Sequence, residues 1–158
     1  MSVEDIIYLA GLLDGEGCIY ISKYKRKGKQ NYYYLMRVVI SGTSRELMLW
    51  VYSIFGGCFC KDCHLPRKNR AVNFKIQWGD NKACELLKLV LPYLKLKRPE
   101  AELAISFQEN LKELSFEDRN KFYCKVAELK QSYKEYSYPQ RLNEKTLNIS
   151  SDAIVQTV

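Results

Sequence analysis

The segment from Ser2 to Gly17 constrains this chain more than any other. Ser2, Glu4 and Asp5 form a capping-box-like start, with two acids in a first turn where the helix dipole favours negative charge. Ile6, Ile7, Leu9, Ala10, Leu12 and Leu13 then cover most of a helical circumference, while Gly11 and Gly15 fall four apart on one face. A helix apolar over most of its circumference has to be covered on most of its sides. Glycine in a helix interior costs about 1 kcal/mol relative to alanine, so Gly11 needs a reason such as a second backbone passing close by. Gly15 and Gly17 end the pattern.

The rest of the chain supplies the cover. Residues 18–26 alternate, with Ile19 and Ile21 on one face and Tyr20, Ser22 and Tyr24 on the other. Residues 32–41 alternate too: Met36, Val38 and Ile40 against Tyr33, Leu35, Arg37, Val39 and Ser41. The basic run 25–30 between them reads as a hairpin loop. Thr43-Ser44-Arg45-Glu46 repeats the capping signal, and Gly56-Gly57 closes a helix that ends near Phe55. Residues 57–63 and 71–78 read as a second strand pair. Asp80 is expected to cap a helix to about Tyr93, Pro99 to sit in the first turn of another to about Leu114, and Ser115 to start one to about Tyr136.

The order is helix, two strands, helix, two strands, then helices. This predicts an α+β fold, αββαββα with additional C-terminal helices, whose four strands form one antiparallel sheet. One face lies under the helices and the other, rich in Tyr, Arg, Lys and Gln, is left for a ligand. No repeat or linker divides the chain, so 1–158 is expected to be a single domain, with a core over about 3–136 and a polar tail over 137–158. No apolar run approaches the ~20 residues that would span a bilayer, and neither a signal peptide nor a transit segment is evident ahead of the first helix.

Charge narrows the ligand. The chain carries a formal net charge of +7, but unevenly. Residues 1–16 hold four acids and no base, whereas residues 17–75 hold twelve bases and two acids. Residues 83–158 nearly balance. A +10 block of strand and loop calls for a polyanion.

Leu9-Ala10-Gly11-Leu12-Leu13-Asp14-Gly15-Glu16-Gly17 closely resembles the signature of the LAGLIDADG homing endonucleases. Ile40-Ser41-Gly42-Thr43-Ser44-Arg45-Glu46-Leu47, Ile54-Phe55-Gly56-Gly57 and Pro92-Tyr93-Leu94-Lys95-Leu96-Lys97 resemble three further stretches of that family, in the same order. The resemblance covers roughly residues 5–110, and the αββαββα order agrees with it.

The signature occurs once, which in that family implies a homodimer. Ile7, Gly11, Asp14 and Gly15 would then lie at the interface, with a Glu16 from each subunit at the base of the two-fold axis. The resemblance further implies that Glu16 is catalytic and binds Mg²⁺ with help from the Gly15 carbonyl. Mg²⁺ suits one or two carboxylates plus water and phosphate oxygens. Lys97 matches the family's basic active-site residue, and Asp14 reads as a structural acid bonding backbone groups near the helix end. Many relatives carry Gln or Asn at the position of Gly42, where it orders water; glycine has no side chain for that task.

Double-stranded DNA would lie on the open face of the sheet. Period-two alternation selects Tyr20, Ser22, Tyr24, Tyr33, Arg37, Val39, Phe59, Lys61, Asn73, Lys75 and Gln77. Arg and Lys would read guanine edges, and Gln or Asn adenine. Arg26, Lys29, Arg67 and Arg70, with Lys25, Lys27 and Lys68, would reach outer bases or phosphates from the two loops. Arg141, Asn143, Lys145 and Thr146 could add phosphate contacts from the tail.

Cys58, Cys60, Cys63 and His64 form a C-x-C-x-x-C-H pattern that suits zinc by residue type. On a strand, Cys58 and Cys60 share a face that Cys63 does not, so two buried thiols packing as small hydrophobes is the expected arrangement. Six cysteines without a secretory signal point to an intracellular, reducing compartment, an organelle or a bacterial cytoplasm. Three functions share these features: a Mg²⁺-dependent endonuclease cutting both strands of a long pseudo-palindromic site, an RNA-binding intron maturase, and a DNA-binding protein that has lost cleavage. Glu16 and Lys97 favour the first, because neither of the others needs a metal carboxylate.

Overall fold

The computed structural model describes residues 1–25, 28, 32–61 and 72–137, with side chains as far as residue 131. It contains helix α1 (Val3–Glu16), strands β1 (Gly17–Lys25) and β2 (Tyr32–Gly42), helix α2 (Arg45–Phe55), and strands β3 (Cys58–Lys61) and β4 (Phe74–Gly79). Helices α3 (Asp80–Val90), α4 (Arg98–Glu109) and α5 (Phe116–Ser137) follow, with a single 3-10 turn at Leu91–Tyr93. The strands form one antiparallel sheet in the order β1-β2-β4-β3. The α+β class and the αββαββα order expected from the sequence are both present.

The caps explain the helix starts. Ser2 and Asp5 form a reciprocal capping box on α1. Ser44 Oγ accepts from Leu47 N at 3.2 Å, and Ser115 Oγ accepts from Asp118 N at 3.1 Å. Gly56 and Gly57 follow α2 at φ +64° and +101°, a backbone that side chains resist. Asp80 does not cap α3 as its sequence position suggests. Gly79 holds the cap position, and Asp80 is the first helical residue, at φ 49°.

One face of the sheet carries the core. Ile19 and Ile21 of β1, Met36, Val38 and Ile40 of β2, and Ile76 and Trp78 of β4 are buried beneath Leu9, Ala10 and Leu13 of α1. Met48 and Val51 of α2, Leu87 and Val90 of α3, Ala104 and Phe107 of α4, and Val126 of α5 complete it. The period-two alternation of β1 and β2 therefore holds. Among the described residues, no helix is long and apolar enough to cross a membrane.

Helix α5 closes the β1 edge. Lys23, on the core face, donates to Asn120 Oδ1 at 2.7 Å, and Tyr34 Oη donates to the same oxygen at 3.0 Å. The Lys23 ammonium also lies 4.7 Å from the ring centre of Tyr32 and within 6 Å of Tyr34, Phe116 and Tyr123.

Candidate active site and nucleic-acid interface

Helix α1 delivers Glu16 to the surface. Glu16 is its last residue and is exposed. Gly17 turns the chain directly into β1 in an extended conformation, where a Cβ would lie 2.5 Å from the Leu13 carbonyl oxygen. Only glycine allows helix and strand to join this closely, so the carboxylate is followed at once by the sheet.

Asp14 builds the neighbourhood. Its carboxylate accepts three backbone bonds, from Lys95 N at 2.8 Å, Leu96 N at 3.2 Å and Lys97 N at 2.8 Å. These bonds tie the segment before α4 to the C-terminal turn of α1. The half-buried Lys97 then turns its ammonium onto the Asp14 carbonyl oxygen, two residues before Glu16. A cation belongs at that negative helix end. Asp14 thus spends its carboxylate inside the chain, and Glu16 is the acid of this motif left facing outward.

The donors fit a hard divalent cation. They are a carboxylate and the oxygen-rich end of a helix, with a lysine alongside. No group of three or more His, Cys, Asp and Glu that could hold a metal ion occurs among the described residues. Gly42, at the end of β2, has room: a Cβ there would meet only Met48 Sδ, at 3.7 Å.

Among the described residues, the α1 face away from the sheet is largely uncovered, although the Tyr8 ring meets Trp50 edge-on at 5.3 Å. Val3, Ile7 and Tyr8 are 54%, 49% and 52% exposed. Gly11 and Gly15 continue the row of Val3 and Ile7 at four-residue steps, and a Cβ at either would meet no atom within 4 Å. Among the described residues, nothing packed against α1 accounts for these two glycines.

Strand pairing fixes the membership of the open face. Tyr20 stands opposite Arg37 and Tyr24 opposite Tyr33, while Ser22 pairs with Leu35. Lys75 pairs with Ser41 and Gln77 with Val39. Asn73 lies just before β4, in phase with Lys75. The Ser22 hydroxyl is buried here without a hydrogen-bond partner. Val39 shares this face but is itself buried.

The β3 residues correct the sequence reading. Phe59 pairs with the buried Ile76 and stacks on Phe74, 6.0 Å between ring centres, so it belongs to the core face. Lys61 has the same phase and therefore lies on the helix side, not beside Lys75 and Gln77. Cys58 and Cys60 take the open face, opposite Gln77 and Lys75, and both are exposed rather than buried. A four-residue strand, Cys-Phe-Cys-Lys, has no strong alternation, and the pull of Phe59 into the core decides its phase. Arg26, Lys29, Arg67 and Arg70 lie outside the described residues, as do Lys27, Lys68, Cys63, His64 and the tail positions Arg141, Asn143, Lys145 and Thr146.

Sequence reasoning missed Lys130. This α5 lysine reaches around the β1 edge to Cys18 Sγ at 3.1 Å and to the Tyr20 ring at 4.9 Å. Its position in a long polar helix carries no local signal. The sheet edge alone brings it there.

A helix ending in an exposed acid, joined to an open antiparallel sheet rich in Tyr, Arg, Lys and Gln, defines a class. The model of the LAGLIDADG endonuclease family matches residues 9–112, and the chain belongs to that family of DNA endonucleases. No curated protein sequence matches it. Among solved structures, the homing endonuclease I-CvuI, in complex with the I-CreI target, superimposes at a TM-score of 0.66 and 22% identity, covering 81% of this chain and 85% of that one. The archaeal intron-encoded homing endonuclease I-Vdi141I, complexed with DNA, gives 0.61 at 13% identity, covering 86% of each. The meganuclease I-AabMI, bound to uncleaved DNA, gives 0.53 at 25% identity, covering 74% of this chain and 41% of that one.

Proposed function

We propose that the chain is a homodimeric, Mg²⁺-dependent, site-specific endonuclease that cuts both strands of a long pseudo-palindromic DNA duplex. One observation carries this reading: Asp14 clamps residues 95–97 so that Lys97 stands beside the helix end that presents Glu16. Glu16 and the Gly15 carbonyl would hold Mg²⁺, which supplies a Lewis acid and lowers the pKa of bound water. Lys97 places a positive charge where the pentavalent phosphate gathers negative charge. The Val3, Ile7, Gly11 and Gly15 face admits a second α1, and each subunit brings one Glu16 to the axis. The solved relative I-CvuI is described with the I-CreI target, uncleaved, in the presence of magnesium and with its own target in the presence of calcium, which supports a divalent cation here.

The open face would lie in the major groove. A nine-residue β1 extends about 30 Å at ~3.4 Å per residue, and follows roughly nine base pairs. In this reading Tyr20, Ser22, Tyr24, Tyr33, Arg37, Asn73, Lys75 and Gln77 form the face turned to the bases, and Arg26, Lys29, Arg67 and Arg70, from sequence alone, contact outer bases or phosphates. The free cysteines among the described residues suit a reducing compartment.

The test begins by selecting a target from randomised duplexes. Wild type should cleave the recovered site only when Mg²⁺ is added. Glu16→Gln should bind that site with little change and fail to cut it. Normal cleavage by Glu16→Gln would remove Glu16 from the mechanism.

A further inference from the structure

Arg37 stands near the middle of the open face, and its surroundings are unusual in three respects. Its guanidinium lies directly over Gly79, so close that a Cβ there would collide with Nη1. Gly79 itself has φ −128° and ψ 149°, extended backbone open to any residue, so a side chain there would chiefly displace the Arg37 guanidinium. Next to it, Asp80 directs Oδ2 to 3.8 Å from Arg37 Nη1, while its Oδ1 is buried without a hydrogen-bond partner. Asp80 also holds φ 49°, a conformation that costs most residues free energy and that Asp and Asn tolerate best.

Resting on the endonuclease reading above, we propose that Gly79 and Asp80 are positioning residues that hold the Arg37 fork to read one guanine in each half-site. Gly79 provides the floor on which the guanidinium lies. Asp80 provides the charge that draws it there, and is the one ionic partner of Arg37 among the described residues. A lone arginine on a sheet samples many rotamers, and ordering it at the moment of binding opposes recognition. An arginine already laid flat loses less. Its side chain is 22% exposed, so part of it stays accessible from the open face. Two parallel N–H donors match O6 and N7 of guanine, which no other base edge in the major groove presents. Arg37 pairs with Tyr20, three residues from the Gly17 start of β1 and five from Lys25. The guanine therefore belongs to the inner half of each half-site, nearer the cut than the end.

The experiment compares enriched sequences. Duplexes from a randomised library are selected with wild type, Arg37→Ala, Arg37→Lys, Asp80→Asn and Gly79→Ala, and each protein's thermal melt is recorded. Wild type should enrich one strongly preferred guanine in the inner half of each half-site. Arg37→Ala should lose it, and Arg37→Lys should also lose it because the charge remains but the fork does not. Asp80→Asn keeps the tolerated backbone and Gly79→Ala keeps both charges. Each should lower that single preference on the order of tenfold while the other positions keep theirs. Full guanine preference in Asp80→Asn and Gly79→Ala overturns the positioning role. So does a uniform loss at every position, which marks a purely structural effect. If wild type itself enriches no sequence, the endonuclease reading fails instead.

Discussion

The Asp14 carboxylate accepts three backbone bonds at 2.8–3.2 Å, and no single-oxygen acceptor replaces it. Asp14→Asn keeps the shape but turns an amide donor toward donors. Hydrogen bonds to a charged group contribute about 1.5–3 kcal/mol each, so this substitution should cost at least ~2 kcal/mol in urea unfolding. It should also slow cleavage beyond that loss, because residues 95–97 carry Lys97. Unchanged stability would show that the clamp is incidental. Gly42 argues in the other direction. A Cβ there meets only Met48 Sδ at 3.7 Å, so the backbone admits a side chain, and in our reading Gly42→Gln restores a water-ordering group. Single-turnover cleavage of the selected site should then accelerate; a slower rate would assign the water to another group. The motif and the resemblance it carries made Glu16 and Asp14 legible as an outward acid and a structural one, but not which backbone groups Asp14 holds. Those partners begin at Lys95, 81 residues along the chain from Asp14, a separation closed only by folding.

At the scale of elements, α5 is held to the sheet by polar bonds that periodicity does not reveal. Asn120 Oδ1 accepts from both Lys23 and Tyr34. Asn120→Ala leaves a half-buried ammonium and a hydroxyl without that acceptor and should cost about 1–3 kcal/mol, with α5 amides losing exchange protection first. The N-terminal turn of α5 has its own pH dependence. The Ser115 hydroxyl, and then the Lys121 ammonium, hold the Asp118 carboxyl below the usual aspartate value. A depressed folded pKa stabilises above the unfolded value and is lost as pH falls through the folded one. A melting difference between wild type and Asp118→Asn should therefore persist above about pH 4 and close below it. A gap that widens in acid would reverse the assignment. The same scale shows where pattern reading ends. β1 and β2 are long and alternate cleanly, so their faces were legible. β3 has four residues with apolar types in both phases, and Phe59 settles its register by packing on Phe74.

For the whole molecule, the exposed α1 face decides between a monomer and half of a larger enzyme. Gly11→Leu should leave the single chain folded, since nothing lies within 4 Å of its Cβ, and should raise helix propensity by up to ~1 kcal/mol. It should also block the close approach of a second α1. Sedimentation should show a monomer that no longer cleaves, with a melt no lower than that of unassociated wild type; a dimer of unchanged affinity would move the interface elsewhere. The division between sequence and structure follows from range. Caps, glycine stops, strand alternation and the nine-residue signature are local or periodic, so the sequence by itself determined the element order, the α+β class, the family and the outward acid Glu16. The Asp14 clamp on residues 95–97, the phase of β3, the reach of Lys130 around the β1 edge and the bed of Gly79 and Asp80 beneath Arg37 were decided by the tertiary structure alone. Each joins groups whose separation along the chain leaves no periodic trace, and each exists only because the packed core fixes which strands and helix ends become neighbours.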